Sequence, residues 1–228
     1  MKLLVIEGID GAGKSTQIKL LSNYLHDKGY NYEYLHFPRV DTPYFGELIA
    51  RFLRGELGSI SEVNPWIVAM LYAGDRKDTA DIIKRWLDSG SIVILDRYTY
   101  SNIAYQCAKV ADEIEREKLM NWILDLEFNH FAIPRPDMNI FLDVPFSFTE
   151  AKLLSKRKGN DRIYLHGSKD IHEESLDFQR RVREMYLKLL NVSDDFYVVD
   201  CGDDSGNILK PEQIFEKIIT LIQTKQLL

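Results

Sequence analysis

Gly8-Ile9-Asp10-Gly11-Ala12-Gly13-Lys14-Ser15 places three glycines, a lysine and a hydroxyl at the spacing that holds nucleotide phosphates. The run fits G-x-x-x-x-G-K-[ST], a loop between a strand and a helix. Glycines let backbone N–H groups approach phosphate oxygens with no Cβ in the way. Lys14 supplies a point charge for the β- and γ-phosphates, Ser15 a hydroxyl for Mg²⁺, and the helix N-terminus a partial positive charge. Gly8, Gly11, Ala12, Gly13, Lys14, Ser15 and Thr16 are therefore the expected phosphate site.

Further groups follow along the chain. Ile92-Val93-Ile94-Leu95 is an apolar run closed by Asp96, the residue type that holds Mg²⁺ through water opposite a loop hydroxyl. Arg97 comes next, and a guanidinium there can grip a phosphate with two parallel bonds; the plainer alternative is a surface ion pair. Tyr72 and Arg76 lie four apart and share a helix face, where a ring and an arginine could serve a base, or the core. Lys156-Arg157-Lys158-Gly159-Asn160-Asp161-Arg162 reads either as a solvated charge run or as a mobile lid delivering arginine to a phosphoryl group.

The elements that must position these groups alternate. Apolar runs predict strands over Lys2–Glu7, Tyr32–Phe37, Ile92–Asp96, Met138–Leu142 and Phe196–Val199. Helices are predicted over Lys14–Lys28, Tyr44–Leu53, Pro65–Asp88, Glu113–Asn129, Phe146–Lys156, Ser175–Leu190 and Pro211–Thr224. This order argues for an α/β fold, a parallel five-stranded sheet with helices on both faces. Ligands in such sheets bind beyond the carboxyl ends of the strands, so Gly8–Ser15, Phe37-Pro38-Arg39 and Asp96-Arg97 should converge on one cleft.

The chain has 228 residues, 45% hydrophobic and 28% charged, which suits a single globular domain spanning 1–228. A net charge of −6 argues against nucleic-acid or anionic-membrane partners. Glu7 and Asp10 interrupt the first apolar run, which leaves it too short for a signal peptide. Cys107 and Cys201 stand far apart, and the expected setting is the reducing cytoplasm.

Taken together, the motifs resemble those of the thymidylate kinases, across most of the chain. Those that carry the resemblance are Glu7–Thr16, Phe37-Pro38-Arg39, Leu71-Tyr72-Ala73-Gly74-Asp75-Arg76, Asp96-Arg97-Tyr98-Thr99-Tyr100-Ser101, Ala104-Tyr105-Gln106, Asp161-Arg162 and Arg180–Tyr186. The resemblance implies a P-loop kinase fold, transfer of the γ-phosphoryl of ATP to dTMP, Mg²⁺ as cofactor and a homodimer. It implies that Asp10 contacts the sugar 3′-hydroxyl, that Arg39 and Arg97 hold the dTMP phosphate, and that Phe37 lines the site. Tyr72 would stack on thymine, Arg76 and Gln106 would read its polar edge, and Tyr105 would crowd the 2′ position.

Glycine after Asp10 and basic residues Lys156, Arg157, Lys158 and Arg162 are similar to the family's arrangement with a basic lid, here at about 155–174. Arg157 is then the residue expected at the transition-state charge, with Lys14, Asp96 and Arg97 as its catalytic partners. Tyr164 replaces a glutamate common in the family, and Leu165–Glu174 resembles an insertion with no assigned role. Two other enzymes compete with this reading, a deoxynucleoside kinase and a kinase of another monophosphate. A third rival is a phosphate-loop switch protein, for which an acceptor pocket would have no purpose.

Overall fold

A computed structural model describes residues 2–154, 164–165, 170–172 and 175–228. Five parallel strands, β1 (Lys2–Glu7), β2 (Tyr32–His36), β3 (Ile92–Asp96), β4 (Met138–Asp143) and β5 (Phe196–Asp200), form one sheet in the order β2-β3-β1-β4-β5. Strand β1 is central because it is apolar on both faces. Leu4 and Ile6 point into one hydrophobic cluster, Leu3 and Val5 into another. Full burial of each such side chain is worth about 1.5–3 kcal/mol.

Helices α1 (Lys14–Asp27), α2 (Phe45–Leu53), α3 (Pro65–Asp88), α4 (Thr99–Cys107), α5 (Glu113–Asp125), α6 (Phe146–Leu154), α7 (Leu176–Lys188) and α8 (Pro211–Thr224) cover the sheet. Helix α3 starts where Asn64 Oδ1 accepts the Trp66 N–H at 2.9 Å and Pro65 opens the first turn. Its Gly74 lets the Phe45 ring of α2 lie against the backbone, since a Cβ there would sit 2.3 Å from that ring.

The alternation expected from the sequence is present, with small shifts at several element ends and two larger differences. Helix α4 was not anticipated: every residue from Thr99 to Cys107 is buried, so it has no polar face and no helical period to read. The stretch expected as one helix over Glu113–Asn129 ends at Asp125 and passes into a π-turn, Leu126–His130. Strand β2 stops at His36, one residue before Phe37. The end of the helix expected to reach Lys156 lies outside the described residues.

Parallel register brings the site together. Ile6 pairs with Asp96 and Glu7 with Phe141, so the carboxyl ends of β1, β3 and β4 open on one edge.

Candidate active site

The phosphate loop turns from β1 into α1 through two left-handed glycines, Gly11 at φ 81° and Gly13 at φ 83°. The helix then begins, with the Thr16 N–H donating to the Gly13 carbonyl at 3.0 Å. Lys14 folds back over the loop, its Nζ 3.4 Å from the carbonyls of both Gly8 and Ile9. Burial, reinforced by the Arg97 charge, pulls the Lys14 ammonium down to about 8 against the opposing pull of Asp96, Asp10 and Glu7.

Asp96, at the end of β3, faces this loop. Its Oδ2 lies 3.2 Å from His36 Nδ1, while Oδ1 is buried with no hydrogen-bond partner. Burial alone would raise this carboxyl. The His36 hydrogen bond and the Lys14 charge outweigh it and hold the group below its ordinary value. An ionised, half-satisfied carboxylate near the phosphate loop fits a hydrated divalent cation with oxygen ligands. Ser15 is exposed on the first turn of α1.

Arg97 adopts φ 66°, a conformation that costs a non-glycine residue free energy and recurs at functional sites. Its N–H donates to the Ile6 carbonyl at 3.0 Å, which fixes the turn against β1. The guanidinium reaches Asp10 Oδ1 at 2.7 Å, the Tyr105 hydroxyl at 3.1 Å and Ser101 Oγ at 3.2 Å. Tyr105 donates its hydroxyl to Asp10 Oδ2 at 2.8 Å. Although burial opposes it, the Arg97 and Lys14 charges hold the Asp10 carboxyl well below the usual carboxylate range.

Arg39 lies on the neighbouring wall, against α3. Its N–H and Nε donate to the two carboxylate oxygens of Asp75 at 2.9 and 2.8 Å, and its Nη2 donates to the Asp75 carbonyl at 2.8 Å. Phe37 is buried in the second core cluster, against Tyr98. Arg76 is buried with Glu127, donating from Nε at 2.6 Å and Nη2 at 2.7 Å. Tyr72 is half-buried among Ile49, Phe52, Val68 and Ile171. Gln106 is buried and accepts from Lys109 Nζ at 2.7 Å. Lys156, Arg157, Lys158 and Arg162 lie outside the described residues.

Several side chains that shape the site were given no role from the sequence. Glu7 is buried and accepts from the N–H groups of Tyr98 and Ser101, from Ser101 Oγ at 2.5 Å and from the Tyr186 hydroxyl at 2.9 Å. It thereby clamps the turn that carries Arg97, while burial raises its carboxyl. Glu127, presented by the π-turn, also accepts from Thr99 Oγ1 at 2.9 Å and Asn102 Nδ2 at 3.0 Å. Gln179 of α7 bridges Asp10 to His172, donating to Asp10 Oδ2 and to the His172 carbonyl, both at 2.9 Å. Glu7 stood inside a quoted motif, but nothing in the chain marked Glu127 or His172.

Fold and site together define a phosphate-loop kinase, in which the donor loop faces a second wall lined by arginines and tyrosines. A family model described as Thymidylate kinase matches residues 6–209. A probable thymidylate kinase of Thermococcus kodakarensis is 36% identical over 226 residues, which cover 97% of each chain. The thymidylate kinase of Mycobacterium tuberculosis is 31% identical over 188 residues, 82% of this chain and 85% of that one. The solved thymidylate kinase of Candida albicans superposes with a TM-score of 0.72 at 28% identity, covering 99% of this chain and 92% of that one. The chain belongs to the thymidylate kinase family, ATP-dependent phosphotransferases that convert dTMP to dTDP.

Proposed function

We propose that within dTMP phosphorylation the triphosphate of ATP lies along Gly8–Thr16 and the dTMP phosphate lies against Arg97 and Arg39. The observation that carries this division is the network of Asp10, Arg97 and Tyr105 beside Lys14. It sets a fixed carboxylate and a forked cation next to the loop that binds the donor. The attacking phosphate oxygen is already anionic, so the protein's work is positioning and charge stabilisation rather than proton abstraction. Lys14 and Arg97 neutralise charge gathering between the two phosphates. Mg²⁺, held by Ser15 and by the unpartnered Oδ1 of Asp96, would supply further neutralisation of the β- and γ-phosphates when bound.

On the acceptor side, Tyr72 offers its face to thymine, Arg76 its guanidinium and Gln106 its amide. The Tyr105 ring, fixed at its hydroxyl by Asp10 and Arg97, excludes a 2′-hydroxyl by volume. A lid at about 155–174 brings Arg157, with Lys156, Lys158 and Arg162, over the transferring group. The whole chain acts as one kinase domain.

In this reading the enzyme works in the cytoplasm as a homodimer. Exposed Ile67 and Met70, three apart on α3, support a self-association face. The net charge of −6 weighs against nucleic-acid and anionic-membrane partners, and no helix among the described residues is long and apolar enough to cross a membrane.

The test is ADP release with Mg²⁺-ATP against dTMP, dUMP, UMP, CMP, AMP, GMP and thymidine. Turnover with dTMP well above the ribonucleotides and thymidine is the expected result. Preference for another monophosphate would overturn the base-reading roles, and ATP binding without acceptor-stimulated ADP would overturn the acceptor site.

A further inference from the structure

His36 stands one position before the Phe37-Pro38-Arg39 turn, outside every motif that carries the family resemblance. The sheet decides where its side chain goes. Strand β2 is an edge strand, and its parallel register with β3 sets Leu35 beside Leu95 and His36 beside Asp96. Leu35 and Leu95 pack into the second hydrophobic cluster, whereas Ile94 packs into the first, with Ile18 and Leu21 of α1. Alternation along the strands therefore turns His36 and Asp96 together toward the face that carries α1 and the phosphate loop.

Across that register His36 Nδ1 lies 3.2 Å from Asp96 Oδ2, within reach of a hydrogen bond. A carboxylate oxygen only accepts, so the imidazole presents Nδ1–H to it. The other oxygen, Oδ1, is buried and bonded to nothing. Lys14 and Arg97 act on Asp96 through their charge, and His36 is its one ion-pair partner among the described residues. A carboxylate can turn about its Cβ–Cγ bond and exchange its oxygens. A donor fixed on Oδ2 ends that freedom and leaves Oδ1 as the open oxygen. The His36 side chain is 49% exposed, and half-exposed ion pairs of this kind add little to stability. Partners that orient a metal-binding carboxylate matter more, since their loss typically weakens metal affinity about 10–100-fold.

We propose that His36 is a positioning residue for the divalent cation, holding Oδ2 of Asp96 so that Oδ1 stays free for the cation that accompanies ATP. This inference rests on the reading of Asp96 as a holder of Mg²⁺.

Substitution His36→Leu removes the donor, whereas His36→Asn places an amide nitrogen near the position of Nδ1. Calorimetry measures the affinity for a non-hydrolysable ATP analogue with saturating Mg²⁺ and again with a chelator, and the ratio of the two is the contribution of the metal. H36L is expected to lower that ratio about tenfold while the metal-free affinity and the melting temperature hold. H36N is expected to keep it within about threefold of wild type. A ratio within about twofold of wild type in H36L overturns the proposal, as does an equal loss in H36N or a parallel loss of metal-free affinity. Asp96→Asn separates the two readings. A wild-type ratio in D96N removes Asp96 as a holder of the metal, and His36 with it. A ratio lost in D96N but kept in H36L removes only the role of His36.

Discussion

Arg76 and Glu127 meet through two hydrogen bonds of 2.6 and 2.7 Å at a place where both side chains are almost fully closed to water. The pair shares its carboxylate with Thr99 and Asn102, so α3, α4 and the π-turn are locked at one point. A forked guanidinium on a carboxylate is among the strongest polar contacts, and breaking one half leaves the other charge buried and alone. Glu127→Ala is expected to destabilise the protein by about 3–5 kcal/mol. Urea unfolding followed by circular dichroism checks this; a loss under about 1 kcal/mol would show that water replaces the carboxylate.

Lys14 should make ATP binding sensitive to pH. Its ammonium titrates at about 8 in the free protein because burial and Arg97 disfavour the charge. A bound triphosphate favours the charged form, so binding above that pH requires proton uptake. Affinity for ATP is expected to be flat up to about pH 8 and then to fall by up to about tenfold per unit. Calorimetric titrations across this range, in buffers of different ionisation enthalpy, measure both the fall and the proton taken up.

Lys109 gives stability a pH dependence of its own. Burial pulls this ammonium, which lies over the Phe52 ring at 4.7 Å, down to about 7, with Asp170 opposing. An unfolded lysine titrates near 10.4, so the unfolded chain binds more protons between those values and folding stability rises with pH across them. The Lys109 share of that rise is on the order of 4–5 kcal/mol. Lys109→Met should flatten the profile from about pH 7 to about pH 10, whatever its stability at neutral pH. An identical slope in wild type and variant would mean that the ammonium is solvated.

Arg97→Lys preserves a charge but not the fork that reaches Asp10, Tyr105 and Ser101 together. Turnover is expected to drop about a hundredfold or more, with KM for dTMP raised and KM for ATP little changed. Near-normal turnover would assign the acceptor phosphate to Arg39 alone.

What the sequence disclosed follows physical locality. The phosphate loop is eight consecutive residues whose types are dictated by backbone approach to an anion, and Leu3–Ile6 within strand β1 before it is an unbroken apolar run, so both were readable. Helix α4 escaped because a helix buried on every side shows no period. Glu127 escaped because its partner Arg76 is 51 positions away and nothing near it announces a buried charge. His172 sits in a polar run, Lys169-Asp170-Ile171-His172-Glu173, that reads as loop. Arg39 and Asp75 were both visible within motifs, but their mutual bond follows only from the packing of the Arg39 turn on α3.

The Asp10 carboxylate receives Arg97, Tyr105 and Gln179, which come from the turn after β3, from α4 and from α7. Three segments that are remote in the chain thus share one two-oxygen acceptor. Shortening or neutralising this side chain would strand three donors at once, so its tolerance for substitution should be set by architecture before any question of contact with a sugar arises. The same junction ties the order of the phosphate loop to that of α7. Strain introduced on the far side of that helix would then register as altered grip on the donor nucleotide, a route by which distant changes in sequence could retune this enzyme without touching either substrate.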